Sequence, residues 1–152
     1  MIPLFYPENT HWKECAKEVT NVLKTRWWGQ SEKVNEFESK FGKTFNYKYC
    51  LSVNSGTAAL ELAYKLIGIK NNDEVLTPIL TCTATNIPLK RIGAKIKFVD
   101  IDKNNLTIDY HDLKKKISKK TKAIVVVTLG GIAIDSRINK LSKKYKIPLV
   151  VD

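Results

Sequence analysis

The run Ala123-Ile124-Val125-Val126-Val127 is unbroken, apolar and rich in β-branched residues. Such a segment has no face suited to water, so it reads as a parallel strand covered on both sides. The rest of the chain fits that demand. Strands are expected near residues 49–53, 74–77, 95–99, 123–128 and 148–151. Helices are expected between them near 57–67, 83–91, 110–118 and 135–145. Pro88 must start or kink the second of these helices, and Gly68 and Gly93 stand where helix stops stand. Residues 95–98 (Lys-Ile-Lys-Phe) alternate instead, so that strand should have one wetter face. Upstream, Asn9 or Thr10 can cap a first helix with apolar positions Trp12, Cys15, Ala16, Val19, Val22 and Leu23. Residues 26–30 break it, and a second helix over 32–43 should bury Val34, Phe37 and Phe41. The expected fold is α/β: three layers around a mainly parallel sheet.

Composition removes several alternatives. With 152 residues, 43% of them hydrophobic and 27% charged, the chain can build one ordinary core. No apolar run approaches the roughly 20 residues of a membrane span, and residues 1–8 carry neither a basic segment nor a signal core. A cytoplasmic location with no membrane partner is the expectation. Cys15, Cys50 and Cys82 are isolated, with no CxxC pair and no histidine partner, so neither zinc nor a disulfide framework is expected. His11 and His111 stand beside expected helix starts, where capping or solvent exposure accounts for them. The net charge of +11 concentrates between Asp112 and Lys146. There Tyr110, Leu113, Ile117 and Ile138, Leu141, Tyr145 form helical stripes, leaving the lysines mostly on the opposite sides. Arginines are few and Tyr145 is the lone aromatic among these later lysines. Base-edge recognition favours arginine forks and base stacking needs several rings, so no nucleic-acid partner is expected.

The chemistry-bearing stretch is Asn54-Ser55-Gly56-Thr57-Ala58-Ala59-Leu60. An expected strand feeds through small residues into a helix, aiming free N–H groups, the positive helix end and two hydroxyls at one place. That suits a phosphate; equally, Ser55 or Thr57 is an ordinary N-cap and Gly56 lets the turn close. Ligands of open parallel sheets bind beyond the carboxyl ends of the strands. Residues 54–57, 78–85, 129–131 and Asp152 all fall at such ends. No GxGxxG or GxxxxGK[ST] follows any expected strand, which disfavours a plain nucleotide-binding domain.

In order, these segments resemble the DegT-type nucleotide-sugar aminotransferases, pyridoxal-phosphate enzymes of the aspartate-aminotransferase fold. Arg26-Trp27-Trp28-Gly29-Gln30 with Lys33-Val34 and Phe37-Glu38 is similar to the family's N-terminal glycine-containing loop and following helix. Asn54 to Leu60 matches its phosphate-binding turn residue for residue. Asp73-Glu74-Val75, then Thr77-Pro78, Thr81 and Ala84-Thr85, resembles the cofactor-flanking loop. Gly93-Ala94-Lys95, Phe98-Val99-Asp100-Ile101-Asp102 and Leu106-Thr107-Ile108-Asp109 match the next strand and turn, followed by Thr121-Lys122-Ala123-Ile124, Gly130-Gly131 and residues 147–152. The resemblance covers essentially the whole chain.

It implies that residues 1–152 are the N-terminal, incomplete part of the pyridoxal-phosphate-binding large domain. Ser55, Gly56, Thr57 and Ala58 would hold the cofactor phosphate, and Asp152 would face the pyridine nitrogen. Without the resemblance, Asp152 would be a strand-end residue capping the next turn. Trp27 and Gln30 would close the sugar-nucleotide side, with a core role for Trp27 as the alternative. Cys82 stands where relatives usually place an aromatic over the cofactor ring, and Ser31-Glu32 replaces a common Gly-Pro pair. The Schiff-base lysine is expected beyond residue 152, so no catalytic residue is assigned within the chain. The implied function is amination of a nucleotide-linked keto-sugar with a donor such as glutamate, for cell-surface polysaccharide or related amino-sugar synthesis. The full-length form would be a homodimer, and this chain alone would be inactive. The alternatives are a family dehydratase, in which histidine replaces the lysine, and a non-catalytic remnant that associates with a complete homologue.

Overall fold

The computed structural model describes residues 11–152. The chain divides into two compact units, residues 1–52 and 53–152. The described part of the first unit contains helices α1 (Trp12–Lys24) and α2 (Glu32–Phe45) and then irregular chain. The second contains α3 (Gly56–Leu66), β1 (Glu74–Pro78), α4 (Thr83–Ile92), β2 (Lys95–Val99), α5 (Tyr110–Lys116), β3 (Thr121–Val126), α6 (Ser136–Tyr145) and β4 (Leu149–Val151).

In the second unit the four strands form one sheet in the order β2-β1-β3-β4, and every pairing is parallel. The run from Ala123 forms inner strand β3 and is buried from Ala123 to Val126. Its side chains alternate between two cores, as a two-residue period requires. Ala123 and Val125 join Leu60 and Tyr64 of α3, Leu89 of α4 and Val75 of β1. Ile124 and Val126 join Leu113 of α5, Ile138 and Leu141 of α6 and Leu76 of β1. Helices α3 and α4 therefore cover one face and α5 and α6 the other, the three-layer arrangement expected. Strand β2 lies at one edge with Lys95 and Phe98 exposed. Pro88 is accommodated inside α4 and buried. Gly68 and Gly93 follow their helices with φ of 76° and 83°, left-handed values that favour glycine.

Several expectations need correction. Residues 49–53 are not a strand, because no other segment among the described residues pairs with them, and Tyr49 and Leu51 are exposed. An extended apolar run becomes a strand only when a ladder satisfies its amides. The stripes of α1 and α2 are apolar but not buried: α1 has no buried residue, and Gly42 is the one buried residue of α2. Periodicity identifies the apolar face, whereas burial needs something to cover it. In α2 the rings cover one another instead, with Phe41 and Phe45 centroids 4.6 Å apart and Phe37 and Phe41 5.8 Å apart. Tyr145, expected on the buried stripe of α6, is exposed at the helix's last position. The proposed caps Asn9 and Thr10 lie outside the described residues; His11 holds the N-cap position of α1 without a side-chain capping bond.

Candidate functional site

The sheet has a switch point between its inner strands. From β1 the chain leaves into α4 on one face, and from β3 it passes to α6 on the other. Loops that diverge in this way open a crevice at the carboxyl ends of the strands. Thr81, Cys82 and Thr85 follow β1, Thr128 follows β3 and Asp152 follows β4.

Asp152 is tied to that crevice from both sides. Its main-chain N–H donates to Val126 O at 2.9 Å, and its carbonyl accepts from Thr128 N–H at 2.9 Å and the Thr128 hydroxyl at 3.0 Å. Its carboxylate Oδ2 accepts a 2.5 Å hydrogen bond from Thr85 Oγ1. Thr85 is itself fully buried in the first turn of α4. Its N–H donates to Cys82 O at 3.1 Å, its carbonyl accepts from the Tyr64 hydroxyl at 3.0 Å, and its hydroxyl lies 2.6 Å from Thr81 Oγ1. Tyr64 is also fully buried. Burial first, and then the negative charge of Asp152, push its phenol above the ordinary range. Thr77 completes the polar floor by donating to Asn86 Oδ1 at 3.0 Å.

Helix α3 connects this cluster to the small-residue turn. Gly56 is its first residue and Ser55 its N-cap, with Ser55 Oγ accepting from Ala58 N–H at 3.2 Å. The capping alternative therefore holds for Ser55. The amides of Gly56 and Thr57 have no acceptor within the helix. Thr57, Leu60 and Tyr64 are spaced i, i+3 and i+7, so Thr57 shares the helix stripe whose Tyr64 reaches Thr85. Gly56 has neither a left-handed φ nor a neighbour: a Cβ built there meets nothing within 4 Å. Of the chain's glycines only Gly29 shares this freedom. Both fall in segments expected to face a ligand. At Gly56 the bare surface and two free amides fit a phosphate group, and the fixed carboxylate of Asp152 fits a protonated ring nitrogen.

Cys82 occupies the N-cap position of α4 and is exposed, so its side chain stands at the loop after β1 as expected. In the first unit, Trp27 and Gln30 are brought together: the Trp27 indole N–H donates to Gln30 O at 2.6 Å. Trp27 is 64% exposed among the described residues. Thr81 and Thr85 fall in the segment that resembles the cofactor-flanking loop, but the sequence assigns neither a role of its own, nor one to Tyr64. The threonines' four-residue spacing at a loop-to-helix junction is a weak signal, and a tyrosine in an apolar helix stripe reads as core. Among the described residues no group of His, Cys, Asp or Glu could hold a metal ion.

The second unit is thus a doubly wound parallel α/β sheet with a carboxylate held at its carboxyl rim. This chain belongs to the DegT/DnrJ/EryC1/StrS aminotransferase family, whose model matches residues 9–152. It is 42% identical over 123 residues to the spore coat polysaccharide biosynthesis protein SpsC of Bacillus subtilis, covering 81% of this chain and 32% of that protein. It is 35% identical over 141 residues to the dTDP-3-amino-3,6-dideoxy-alpha-D-galactopyranose transaminase of Aneurinibacillus thermoaerophilus, covering 92% of this chain and 39% of that one. The solved E. coli GDP-4-keto-6-deoxy-D-mannose-3-dehydratase with bound hydrated PLP superposes with a TM-score of 0.91 at 33% identity, covering 100% of this chain and 40% of that one. The chain thus spans well under half the length of these relatives.

Proposed function

We propose that this chain supplies the cofactor-binding part of a pyridoxal-phosphate-dependent aminotransferase acting on a nucleotide-linked keto-sugar, with glutamate or a similar amino donor. The observation that carries the reading is the Asp152 carboxylate, held by Thr85 across the switch point of the sheet. Gly56 and Thr57 bind the phosphate through their main-chain amides at the positive end of α3, and the Thr57 hydroxyl adds a further donor. Asp152 keeps a proton on the pyridine nitrogen. When bound, pyridoxal phosphate supplies an electron sink for the carbanion left as the substrate loses its α-proton. Cys82 lines the ring side, and the bonded pair Trp27 and Gln30 serves the sugar-nucleotide side. No lysine of residues 1–152 is assigned the role of reactive amine. The same reading places the working enzyme in the cytoplasm as a homodimer, in polysaccharide or amino-sugar synthesis.

The fit to the E. coli dehydratase supports a second reading, a family dehydratase using the same cofactor. It shares the phosphate and ring-nitrogen assignments and differs in the fate of the sugar.

Phosphorus NMR with pyridoxine 5′-phosphate, which has no aldehyde to react with surface lysines, tests the site. Binding by the wild type should vanish in Gly56→Asp, which sets a negative charge at the helix start. Equal binding by the variant would remove the phosphate from this turn. With pyridoxal phosphate and glutamate, borohydride trapping and peptide mapping should find no dominant lysine and no half-reaction. One dominant lysine coupled to turnover would overturn the assignment of the reactive amine.

A further inference from the structure

We propose that Thr85 is the positioning residue for Asp152: its hydroxyl, supplied with a proton donor by Thr81, locks the carboxylate in the orientation that meets a ring N–H. The inference rests on the cofactor reading above, and the geometry determines the direction of the chain. An ionised carboxylate only accepts hydrogen bonds, and a threonine hydroxyl has one proton to give. With Thr85 Oγ1 2.5 Å from Asp152 Oδ2, that proton goes to Asp152. The Thr85 oxygen then accepts, and the 2.6 Å contact with Thr81 must run from Thr81 to Thr85. Reversing the order would require a protonated Asp152 and a new acceptor for the Thr81 proton. The relay therefore fixes Asp152 Oδ2 as an acceptor and leaves Oδ1 to accept from a ring N–H.

The surroundings leave Thr85 little freedom. It is buried, β-branched and held through its N–H by Cys82 O and through its carbonyl by Tyr64. The Asp152 main chain is equally held, by Val126 and Thr128. Side-chain rotation is the freedom that remains to Asp152, and Thr85 removes it through Oδ2. Among the described residues no hydrogen bond reaches Oδ1, which is the oxygen left to meet the ring.

The test compares pyridoxine 5′-phosphate with its analogue in which carbon replaces the ring nitrogen, alongside the Asp152 χ1 populations from NMR couplings. Wild type should prefer the parent compound by about tenfold or more. Asp152→Asn and Thr85→Val should each bring the ratio close to one, Thr85→Ser should keep it, and Thr81→Val should lower it partly. The Asp152 rotamer should be single in wild type and Thr85→Ser and averaged in Thr85→Val. If Asp152→Asn abolishes the preference while Thr85→Val retains it, the positioning role is wrong and the cofactor reading stands. If Asp152→Asn leaves the preference intact, Asp152 does not face the ring nitrogen and both fail. Should Thr85→Val not fold, an unchanged ratio in Thr81→Val overturns the relay by itself.

Discussion

Helix α1 buries none of its apolar residues and α2 only Gly42, whereas the sheet of the second unit buries both faces of β1 and β3. Both regions carry strong hydrophobic periodicity. In the second unit each periodic stripe meets another: α3 and α4 meet Val75 and Val125, and α5 and α6 meet Leu76 and Ile124. In the first, Phe37, Phe41 and Phe45 meet mainly one another, and Trp12, Trp27 and Trp28 stay largely exposed. Periodicity is thus a statement about one element, and stability arises only where two such elements coincide.

The largest effects should separate the two regions. Leu76→Ala or Ile124→Ala removes a fully buried side chain from the α5–α6 core and should cost about 2–5 kcal/mol in urea unfolding followed by circular dichroism. Phe37→Ala should cost no more than about 1 kcal/mol, since Phe37 is already 56% exposed. Comparable losses at the two positions would break the contrast.

A middle-sized effect concerns Tyr64. Its phenol is held above the ordinary value of 10.0 by burial and by Asp152, so the neutral form is favoured in the fold. Its contribution is complete below pH 10 and is lost as the pH rises further. Tyr64→Phe should cost about 1 kcal/mol at neutral pH, because Thr85 O keeps its helical partner. The variant should also unfold with less alkaline sensitivity, read from pH-dependent urea midpoints. Wild-type sensitivity in the variant would refute the assignment.

The first unit has its own pH signature on the acid side. Glu38 Oε1 accepts from Ser52 N–H at 2.7 Å and from the Ser52 hydroxyl at 2.9 Å. These bonds, the main-chain one first, hold its carboxyl below the ordinary 4.5. The stabilisation is present above pH 4.5 and disappears as pH falls through the lowered value. The protection factor of the Ser52 amide should fall in acid and in Glu38→Ala at neutral pH; unchanged protection in the variant would dismiss the bond. The smallest effect is expected from Lys40→Ala. It breaks the exposed 2.6 Å pair with Glu36 and should leave the unfolding midpoint unchanged within error.

The α/β class, the inner position of the run at Ala123 and the helix start at Gly56 were legible along the chain, whereas Asp152 was marked by the family resemblance alone. The first three depend on local chemistry: β-branching, or small residues at a turn. Strand pairing was not legible, which is why residues 49–53 read as a strand and are not one. Their apolar content is local, but a ladder needs amides brought from elsewhere. The same holds for the site. The resemblance marked Asp152, yet the hydroxyl that holds its carboxylate, Thr85, had no role of its own in the sequence, and Tyr64 behind it looks ordinary in its helix. Asp152 lies 67 positions from Thr85. Only the crossing of the chain at the switch point brings that hydroxyl onto that carboxylate.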